Sequence, residues 1–578
     1  MKETPTNQKL RGGYYTPARI AEFLANWAVR AATDRTLEPS CGDGEIACAV
    51  ARRLAALPDA GRVPDAGRVP DVGRVLWTRL PHGGSITAIE VDVSEAEKAR
   101  RLLQRTATGI SAEVIADDFF DLARRWSIAA PLFAKFEPFD AVVGNPPFIR
   151  YQNFPERQRD VAFALMEQLG LHPNRLTNAW VPFLVLAAHA LRDSGRLAMV
   201  VPSELLQVSY AAETRQFLTR FFERITLVTF KRLQFDRIQQ DVVLLLAERR
   251  AREKGIAVVE LTDTSDFDRL DADACRVHAV DLDHDSEKWL QYFLDRRQVE
   301  LLRSLKANPA VSRFGDFGSV DVGLVTGENS FFVLSRGMTD QLQLWPTTAR
   351  IVSRSAHVQG LRFADADWEE CLGRDERVLL FCPPDAERTA LPSTAARYIV
   401  KGETDGFHTG YKCRIRKRWW VVPSQWVPDA FGLRQVHAFP RIILNDARAH
   451  VTDTLHRIRF KPGIHHTHVA AAFVNSLTLA ASEVTGRGYG GGVLTFEPSE
   501  FEALPMPVHG ADALDFGDLD RLIRTKDVYA CLDITDAVLL RDGLGLSRGD
   551  VLRLRRGWEA LRDRRLRRRR PSSLKRAV

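Results

Sequence analysis

The sequence lacks the features of a disulfide-stabilised, metal-binding or membrane protein. Its seven cysteines are scattered over 578 residues, with no CxxC pair and no matching histidine spacing, so reduced thiols are expected rather than disulfides or zinc. No run of eighteen uncharged apolar residues is present, and the N-terminus has no apolar signal core. These absences predict a cytoplasmic protein with no metal cofactor and no membrane contact.

The composition is that of a globular protein with an uneven charge. At 578 residues the chain is too long for one core, and two or three domains are expected. Hydrophobic residues make up 45% and charged residues 27% of it. Residues 551–578 carry twelve Lys and Arg against two acidic residues. This basic tail could hold phosphates or could simply be solvated, and the sequence favours neither interpretation.

The first 250 residues alternate apolar runs with helical patterns. Thr16-Pro17 predicts a helix start, with a capping hydroxyl followed by proline in the first turn. Alternation of strands and helices predicts an α/β domain over 10–255, built on a doubly wound, mainly parallel sheet. The unit PDAGRV, repeated three times at 58–75, is interpreted as a duplication that enlarges a surface loop. The runs typical of buried strands cover 86–91, 112–116, 139–144, 197–201 and 242–247.

Beyond residue 255 the alternation is lost. Residues 300–510 mix short strand-like pieces with glycine-rich, aromatic and basic stretches, which predicts a mixed α+β domain. Residues 515–578 have a helical pattern again and end in the basic tail.

Four short motifs in the first region end strands with polar or glycine residues. In LEPSCGDGEIA, Gly42 and Gly44 would let the backbone approach a ligand beside a helix N-terminus. Glu90, at the end of the next strand, could accept both hydroxyls of a ribose. A carboxylate beside an aromatic ring, as in DDFF, suits the amino group and the face of an adenine. The motifs are GGYYTP (12–17), LEPSCGDGEIA (37–47), AIEVD (88–92) and IADDFFDL (115–122).

A fifth motif, Asn-Pro-Pro-Phe at 145–148, follows an apolar run typical of a parallel strand. Proline cannot continue a sheet ladder, so the tetrapeptide predicts a rigid loop that presents Asn145 and Phe148 at the sheet rim. Each motif alone also fits an ordinary role as a helix cap, a tight turn or a solvated acid. Together they predict one site that holds an adenosine-bearing cosubstrate, with Asn145 and Phe148 facing a second ligand.

In this order the five motifs resemble those of the S-adenosylmethionine-dependent DNA adenine-N6 methyltransferases of the gamma arrangement. In that arrangement a target-recognition region follows the catalytic domain. The stretches at 320–334, 411–423, 444–458 and 486–498 resemble the recognition domain of the Eco-type modification methylases, which implies a place in the bacterial cytosol or nucleoid. The resemblance covers about residues 10–510 and implies a class I methyltransferase fold, S-adenosylmethionine as cosubstrate, and an adenine flipped out of duplex DNA as target.

The resemblance also implies the site residues. The side-chain oxygen of Asn145 and the carbonyl of Pro146 would hold the amino hydrogens of the adenine, in a loop completed by Pro147, and Phe148 would stack on the base. A second stacking ring is assigned to Phe235, with Phe230 as its competitor. The acid that binds the cosubstrate adenine is Asp118 or, alternatively, Asp117. The cosubstrate-binding residues are Tyr15, Thr16, Pro17, Glu38, Pro39, Gly42, Gly44, Glu90, Asp118 and Phe119.

The candidate DNA contacts are basic residues of the second region. Those at 412–418 alternate around possible strand residues and end at Trp419-Trp420. They predict a groove-facing ribbon or, alternatively, a solvated strand with one buried tryptophan. The expected partners are double-stranded DNA, bound by a monomer, and a separately encoded restriction endonuclease. The DNA-contact residues are Lys412, Arg414, Arg416, Arg418 and Arg487.

Three other functions remain open from the sequence. A methyltransferase with the same motif could act on RNA or on a protein glutamine amide, but a region such as 300–510 favours DNA. A fused restriction–modification enzyme would need a nuclease domain, and only eleven residues precede GGYYTP. An inactive DNA-binding protein is disfavoured by the intact glycine-rich and Asn-Pro-Pro-Phe motifs.

Overall fold

The computed structural model describes residues 15–58, 83–129, 135–232, 241–284, 286–489 and 491–567. Phe235 and most of the PDAGRV repeat lie outside these ranges. The chain forms two compact units, Met1–Phe293 with Arg567–Val578, and Leu294–Leu566. The region 10–255 belongs to the first unit and 300–510 to the second, and the separate functions assigned to these regions stay predictions.

The first unit is built on an eight-stranded sheet in the order β3-β2-β1-β4-β5-β7-β6-β8. Every neighbouring pair is parallel except those of β7, which runs antiparallel to β5 and β6. The predicted doubly wound, mainly parallel sheet is therefore confirmed. The strands are β1 (Arg35–Glu38), β2 (Ser85–Glu90), β3 (Ser111–Ala116), β4 (Phe139–Gly144), β5 (Leu191–Pro202), β6 (Arg224–Phe230), β7 (Val242–Glu248) and β8 (Gly255–Leu261).

Helices cover the sheet with their apolar sides. The first helix buries Ile20, Leu24 and Trp27, which recur at helical spacing. None of the helices within the described ranges is both long enough and apolar enough to cross a bilayer. The helices of this unit are α1 (Ala18–Ala28), α2 (Glu45–Ala56), α3 (Val93–Thr106), α4 (Phe119–Arg125), α5 (Glu156–Gln168), α6 (Trp180–His189), α7 (Glu204–Gln207) and α8 (Ala212–Phe221).

The strand order creates a crevice next to β1. The chain runs outward from β1 through β2 to β3, and then returns to the other side of β1 as β4. The loops that follow β1 and β4 therefore leave the sheet in different directions, and ligands of doubly wound sheets bind at such a point. This topology brings the glycine-rich motif and the Asn-Pro-Pro-Phe motif to the same edge of the sheet.

The second unit combines short strands with helices around a core rich in phenylalanine. Its sheets have the orders β10-β19-β15-β17-β13, β11-β14-β12-β18, β16-β21-β20 and β22-β9. The strands are β9 (Val311–Arg313), β10 (Gly318–Val322), β11 (Val333–Leu334), β12 (Thr348–Val352), β13 (Arg362–Phe363), β14 (Leu379–Phe381), β15 (Ala430–Leu433), β16 (Gln435–Val436), β17 (Ile442–Asn445), β18 (His450–Val451), β19 (Leu455–Phe460), β20 (Arg487–Tyr489), β21 (Val493–Thr495) and β22 (Pro505–Pro507).

Helices follow one another from Phe516 to Arg567, in agreement with the helical pattern from residue 515 onward, and the last of them is the longest of the second unit. The helices of the second unit are α9 (Arg296–Lys306), α10 (Asn329–Phe332), α11 (Arg336–Leu342), α12 (Asp365–Gly373), α13 (Ser393–Thr404), α14 (Tyr411–Arg414), α15 (His466–Ala472), α16 (Ser476–Thr485), α17 (Pro498–Glu502), α18 (Phe516–Arg524), α19 (Val528–Thr535) and α20 (Arg548–Arg567).

Candidate active site

A cavity of about 960 Å³ lies in the first unit at the carboxyl ends of β1, β2 and β4. It brings together residues from all five sequence motifs, although these are spread over more than a hundred positions of the chain. The predicted site residues that line it are Tyr15, Thr16, Glu38, Pro39, Gly42, Glu90, Asp118, Phe119, Asn145 and Pro147.

The cavity lining is strongly acidic. Eight carboxylic acids line it, and Lys98 is the basic residue among its lining side chains. Burial raises the pKa of the Glu38, Glu90 and Asp118 carboxyl groups. Such a lining repels phosphate and attracts cations. S-adenosylmethionine, with its sulfonium and its amino group, has the charge that this cavity suits.

Glu38 is the most deeply buried of these acids. Only 1% of its surface is exposed, and its Oε2 has no hydrogen-bond partner among the described residues. Burial raises the pKa of the Glu38 carboxyl well above its ordinary value. A buried acceptor that lacks a partner costs stability unless a ligand satisfies it. Glu38 thus fits a cationic group of the cosubstrate.

Replacing Glu38 by glutamine should raise stability and lower affinity at the same time. The folded-state pKa of Glu38 lies above its unfolded value, so its contribution to stability is complete below the ordinary glutamate pKa and is lost as pH rises through the folded value. We therefore expect Glu38→Gln to melt at a higher temperature than the unliganded parent at pH 8, with the difference vanishing toward pH 4. Calorimetry should show weaker binding of S-adenosylmethionine. About pH 4 lies near the ordinary pKa of glutamate, and about pH 8 lies well above it.

A matched control is Glu45→Gln, which removes a charge from the same cavity at a position whose side chain is 31% exposed. The Glu45→Gln variant should change neither the melting temperature at about pH 8 nor the affinity for S-adenosylmethionine by much. A Glu38→Gln protein that melts lower at pH 8 and binds the cosubstrate normally would contradict this role of Glu38.

Glu90 ties the glycine turn to the end of β2. Its Oε2 accepts a hydrogen bond from the Gly42 N–H at 2.9 Å, and its Oε1 accepts one from the Asp92 N–H at 2.9 Å. Gly42 has a φ of 53° and lies beside the ring of Tyr15, which lines the cavity. The turn is therefore fixed by the same acid that is predicted to hold the ribose.

Gly44 has a different task from Gly42. It precedes α2 with a φ of 95°, and a Cβ atom there would lie 3.0 Å from the Cα and Cβ of Ala99. Gly44 thus permits α2 and α3 to pack closely, and it is not among the cavity-lining residues.

A hydrogen bond joins the first motif to the last. The side-chain nitrogen of Asn145 donates to Oγ1 of Thr16 at 3.0 Å, and Thr16 is only 8% exposed. The prediction that the Thr16 hydroxyl caps a helix is wrong, because α1 begins at Ala18, after Pro17, without a side-chain cap. The hydroxyl instead orients the amide of Asn145.

The other residues of the Asn-Pro-Pro-Phe loop lie around this amide. Pro147 lines the cavity, whereas Pro146 is buried and is not among the lining residues. Phe148 is half-buried and packs against the core of the unit, and neither Phe148 nor Pro17 is among the lining residues. Of the two candidates for the second stacking ring, Phe235 lies outside the described residues, and its competitor Phe230 is 1% exposed within the core.

The predicted adenine end of the cavity is formed by Asp118 and Phe119. Oδ1 of Asp118 accepts the N–H groups of Phe120 at 2.8 Å and Asp121 at 3.2 Å, and so caps α4. Oδ2 of Asp118 accepts a hydrogen bond from the Gln158 side chain, which also lines the cavity. Gln158 was not identified from the sequence, because it lies on a helix with no motif of its own.

The ring of Phe119 and the neighbouring acid complete this end. Phe119 is 2% exposed and stacks on Phe183, with 5.4 Å between ring centroids. Asp117, the alternative acid, accepts the Asp118 N–H at 2.7 Å and pairs with Arg125. Both acids therefore lie at the cavity, and both have partners within the chain.

Asn178 anchors the segment that follows the Asn-Pro-Pro-Phe loop, and sequence reasoning missed it. Its Oδ1 accepts the Tyr151 N–H at 3.2 Å, and the next residue, Ala179, donates its N–H to the Ile149 carbonyl at 2.9 Å. Asn178 also donates to Glu204 at 3.1 Å and to Tyr210 at 2.9 Å. The loop is thus held from the end of β5 as well as from β4.

The predicted basic ribbon of the second unit is not a strand. Residues Tyr411–Arg414 form the short helix α14, so the strand interpretation is wrong. Trp419 is 9% exposed and packs on Phe331, so the buried tryptophan of the alternative interpretation is present, but the solvated strand of that alternative is wrong as well. Cys413, within this helix, is 1% exposed.

The candidate DNA contacts divide into two groups. Arg416 donates to the carbonyls of Val325 at 2.9 Å and Thr326 at 2.8 Å. The other two bound arginines meet acids of the same unit. The pairs are Arg418 with Asp385 and Glu387, and Arg487 with Glu500 and Glu497. Lys412 and Arg414, by contrast, are exposed.

The sheet order and the acidic cavity at its carboxyl edge define a class I methyltransferase. Residues 87–235 match the Eco57I restriction-modification methylase family, and residues 286–540 match the C-terminal domain of the Type II methyltransferase M.Eco57I. The chain is an S-adenosylmethionine-dependent methyltransferase of a restriction-modification system, and two of its regions match the Eco57I type.

Individual relatives agree with this assignment. The chain is 21% identical over 411 residues to the Type II methyltransferase M.AccI of Acinetobacter calcoaceticus, covering 66% of this chain and 70% of the relative. It is 20% identical over 520 residues to M.XamI of Xanthomonas campestris pv. amaranthicola, covering 86% and 85%. Among solved structures, the Type IIL restriction-modification enzyme MmeI in complex with DNA is 12% identical with a TM-score of 0.55, covering 94% of this chain and 73% of MmeI. That likeness concerns the fold.

Proposed function

We propose that this methyltransferase modifies N6 of an adenine that is flipped out of duplex DNA at a specific sequence, as the protective enzyme of a restriction–modification system. The observation that carries the proposal is the Asn145-Pro146-Pro147-Phe148 loop at the end of β4, whose amide is oriented by Thr16 at the acidic cavity. The family match to restriction-modification methylases supports DNA as substrate. The cognate endonuclease and a monomeric state on DNA belong to the same proposal.

For this reaction the protein must hold a poor nucleophile, the amino group of adenine, in line with the methyl donor. The amino nitrogen of adenine shares its lone pair with the ring, and two acceptors favour the tetrahedral geometry in which it attacks. Because the Asn145 nitrogen donates to Thr16, the Asn145 oxygen is the acceptor that can take one amino hydrogen. The Pro146 carbonyl would take the other. Positioning and a polar cradle do most of this catalysis.

S-adenosylmethionine, when bound, supplies the electrophilic methyl group. In the proposed pose Glu38 faces its cationic part, Glu90 accepts the ribose hydroxyls, and Asp118 with Phe119 meets the adenine. The lining residues Tyr15, Pro39 and Gly42 surround it. The glycine turn is already fixed by the hydrogen bond from Gly42 to Glu90, so little reorganisation is required of it.

Phe148 should act on the extruded base and leave the cosubstrate untouched. Stacking on an aromatic ring is worth about 1–3 kcal/mol per base, so Phe148→Ala should depopulate the flipped state. Fluorescence of 2-aminopurine at the target position measures that population. Phe148→Trp should keep most of the flipping, and thermal melting checks that neither change unfolds the half-buried position. Equal fluorescence from all three proteins would remove Phe148 from the site.

The experiment that tests the whole proposal is single-molecule sequencing of DNA from cells that express the protein. The host should lack adenine methylation of its own, and cells with the Asn145→Ala variant serve as the control. Methylated adenines in one sequence context are expected with the parent chain alone. Modified cytosines would contradict the assignment to adenine. A labelled methyl group that appears in RNA or in a glutamine amide, with unmodified DNA, would overturn the proposal.

A further inference from the structure

The turn at 411–417 presents an unusual set of side chains to solvent. Tyr411 is 65% exposed and Ile415 is 60% exposed, and the Ile415 N–H bonds to the Tyr411 carbonyl at 3.3 Å, so the two side chains emerge one helical turn apart. Lys412, Arg414 and Lys417 are exposed around them. Large apolar side chains that are exposed next to each other belong to interaction sites more often than singly scattered apolar residues do.

The three cations of this turn differ from the arginines next to them. Arg416 and Arg418 are bound by carbonyls and acids of the same unit. In the described part of the chain no ion pair or hydrogen bond engages the side chains of Lys412, Arg414 or Lys417; the one contact is between the Lys412 ammonium and the Tyr411 ring, at 5.8 Å. Their charge is thus available to a partner.

The 411–417 turn is held in place by contacts with the loop at 325–327. Cys413 is 1% exposed, and the Arg416 guanidinium clamps the carbonyls of Val325 and Thr326. Gly327 has a φ of 85°, and a Cβ atom there would lie 2.9 Å from the Cβ of Lys412. The loop at 325–327 and the turn therefore pack without room for a side chain between them. Rigid presentation lowers the entropy that binding costs.

The charge around the turn selects the partner. Residues 406–428 contain no Asp or Glu, so the exposed cations face no acid of their own segment. Three cations that surround an aromatic ring and an aliphatic side chain match a DNA groove, with phosphates at its edges and base edges or thymine methyl groups within it.

We propose that the 411–417 turn, formed by Tyr411, Lys412, Arg414, Ile415 and Lys417, is a DNA-reading element of this methyltransferase. The three cations contact phosphates, and Tyr411 with Ile415 makes apolar contacts to bases of the recognition sequence. Arg416 and Arg418 position the turn and do not touch DNA. This inference rests on the proposed function, because it takes duplex DNA as the substrate.

The cation part is tested by the salt dependence of DNA binding. The variant Lys412→Ala/Arg414→Ala/Lys417→Ala should bind every sequence more weakly, with the slope of log affinity against log salt shallower by about three. The control Lys461→Ala/Arg541→Ala/Arg548→Ala removes three exposed cations from other elements of the same unit. It should leave the slope nearly unchanged. Equal losses in the two variants would overturn the assignment of this turn.

The base-reading part is tested by discrimination between sequences. Once the methylated sequence is known, methylation rates are compared on that duplex and on duplexes with one base pair changed. The variant Tyr411→Ser/Ile415→Ser should lower the ratio of these rates by about tenfold at one or two positions. The pair Tyr411→Phe/Ile415→Val keeps the apolar surface and should keep the ratio.

A control for surface hydrophobicity is Ile534→Ser/Leu552→Ser, which removes two side chains, each 41% exposed, from other helices of the unit. It should not alter the ratio. Melting temperature and cosubstrate affinity are measured for every variant. If the parent protein methylates no DNA, the proposed function fails. If the parent discriminates and the Tyr411→Ser/Ile415→Ser variant discriminates equally well, the proposed function survives and this inference is overturned.

Discussion

The Asn145→Ala variant should bind S-adenosylmethionine and DNA as the parent does, yet turn over at least about a hundredfold more slowly. The Asn145 oxygen is an acceptor whose hydrogen bond strengthens as the adenine nitrogen becomes tetrahedral, so its loss acts on the transition state more than on binding. Single-turnover methylation of a saturated complex measures the chemical step directly. Calorimetry with the cosubstrate and a binding titration with DNA measure the other two quantities.

Two further variants separate the amide from its anchor. Thr16→Val keeps the shape of Thr16 but removes the oxygen that accepts the Asn145 nitrogen, so the amide loses its fixed orientation. We expect a fall of about tenfold in the rate constant at saturation, the size of one lost hydrogen bond. Asn145→Asp retains an acceptor to which the Thr16 hydroxyl can donate, and should keep more activity than Asn145→Ala.

The result that would contradict this mechanism is a normal single-turnover rate in the Asn145→Ala protein. A slow rate that is restored by raising the concentration of cosubstrate or DNA would also contradict it, because the amide would then serve binding. If the loop had only a structural role, both Asn145→Ala and Thr16→Val would melt at a lower temperature than the parent. Thermal unfolding of the two variants tests this alternative.

The second large effect is expected on the stability of the second unit, from Arg565. Its guanidinium donates to both oxygens of Glu483, at 2.6 and 2.9 Å, and to the carbonyls of His437 and Gly492. The side chains of Arg565 and Glu483 are 7% and 2% exposed. Removing one partner of a buried pair leaves the other charge uncompensated, which costs about 3–5 kcal/mol. Arg565→Met should therefore lower the free energy of unfolding by that amount.

Chemical denaturation followed by tryptophan fluorescence measures this loss. The double variant Glu483→Leu/Arg565→Met removes both charges and should regain much of the stability, because apolar replacements of a whole buried pair are often tolerated. A single variant as stable as the parent would show that the pair is dispensable. If the double variant loses as much unfolding free energy as Arg565→Met and Glu483→Leu lose together, the two side chains act independently.

The same pair changes the interpretation of the basic tail. Helix α20 (Arg548–Arg567) contains Arg565, which is bound to Glu483. It also contains Arg555, which pairs with Asp533 and Asp536. These arginines stabilise the unit and are not available for phosphates. A chain that ends at residue 567 tests the DNA role of residues 568–578 without breaking the pair, and Arg556 and Arg567 of the helix are also exposed.

The sequence alone determined the fold of the first unit and the position of its site. An apolar run followed by glycine, an acid or two prolines is a local pattern. The runs of β1, β2, β3 and β4 became parallel strands whose carboxyl ends lie at the cavity, whereas the run at 242–247 became the antiparallel β7. Because parallel strands place their carboxyl ends at one edge, the order of the motifs was sufficient to gather Glu38, Glu90 and Asn145 into one cavity.

The tertiary structure alone decided which polar side chains are available to ligands. Thr16 looked like a helix cap, but it orients Asn145, which is 129 positions away. Arg416 and Arg414 look alike in the sequence, but the former binds carbonyls about 90 positions away and the latter faces solvent. The hydrophobic periodicity of a sequence indicates on which side of a helix or strand a residue lies. Whether its charge is already satisfied depends on partners that only folding brings near, and the sequence contains no local signal for them.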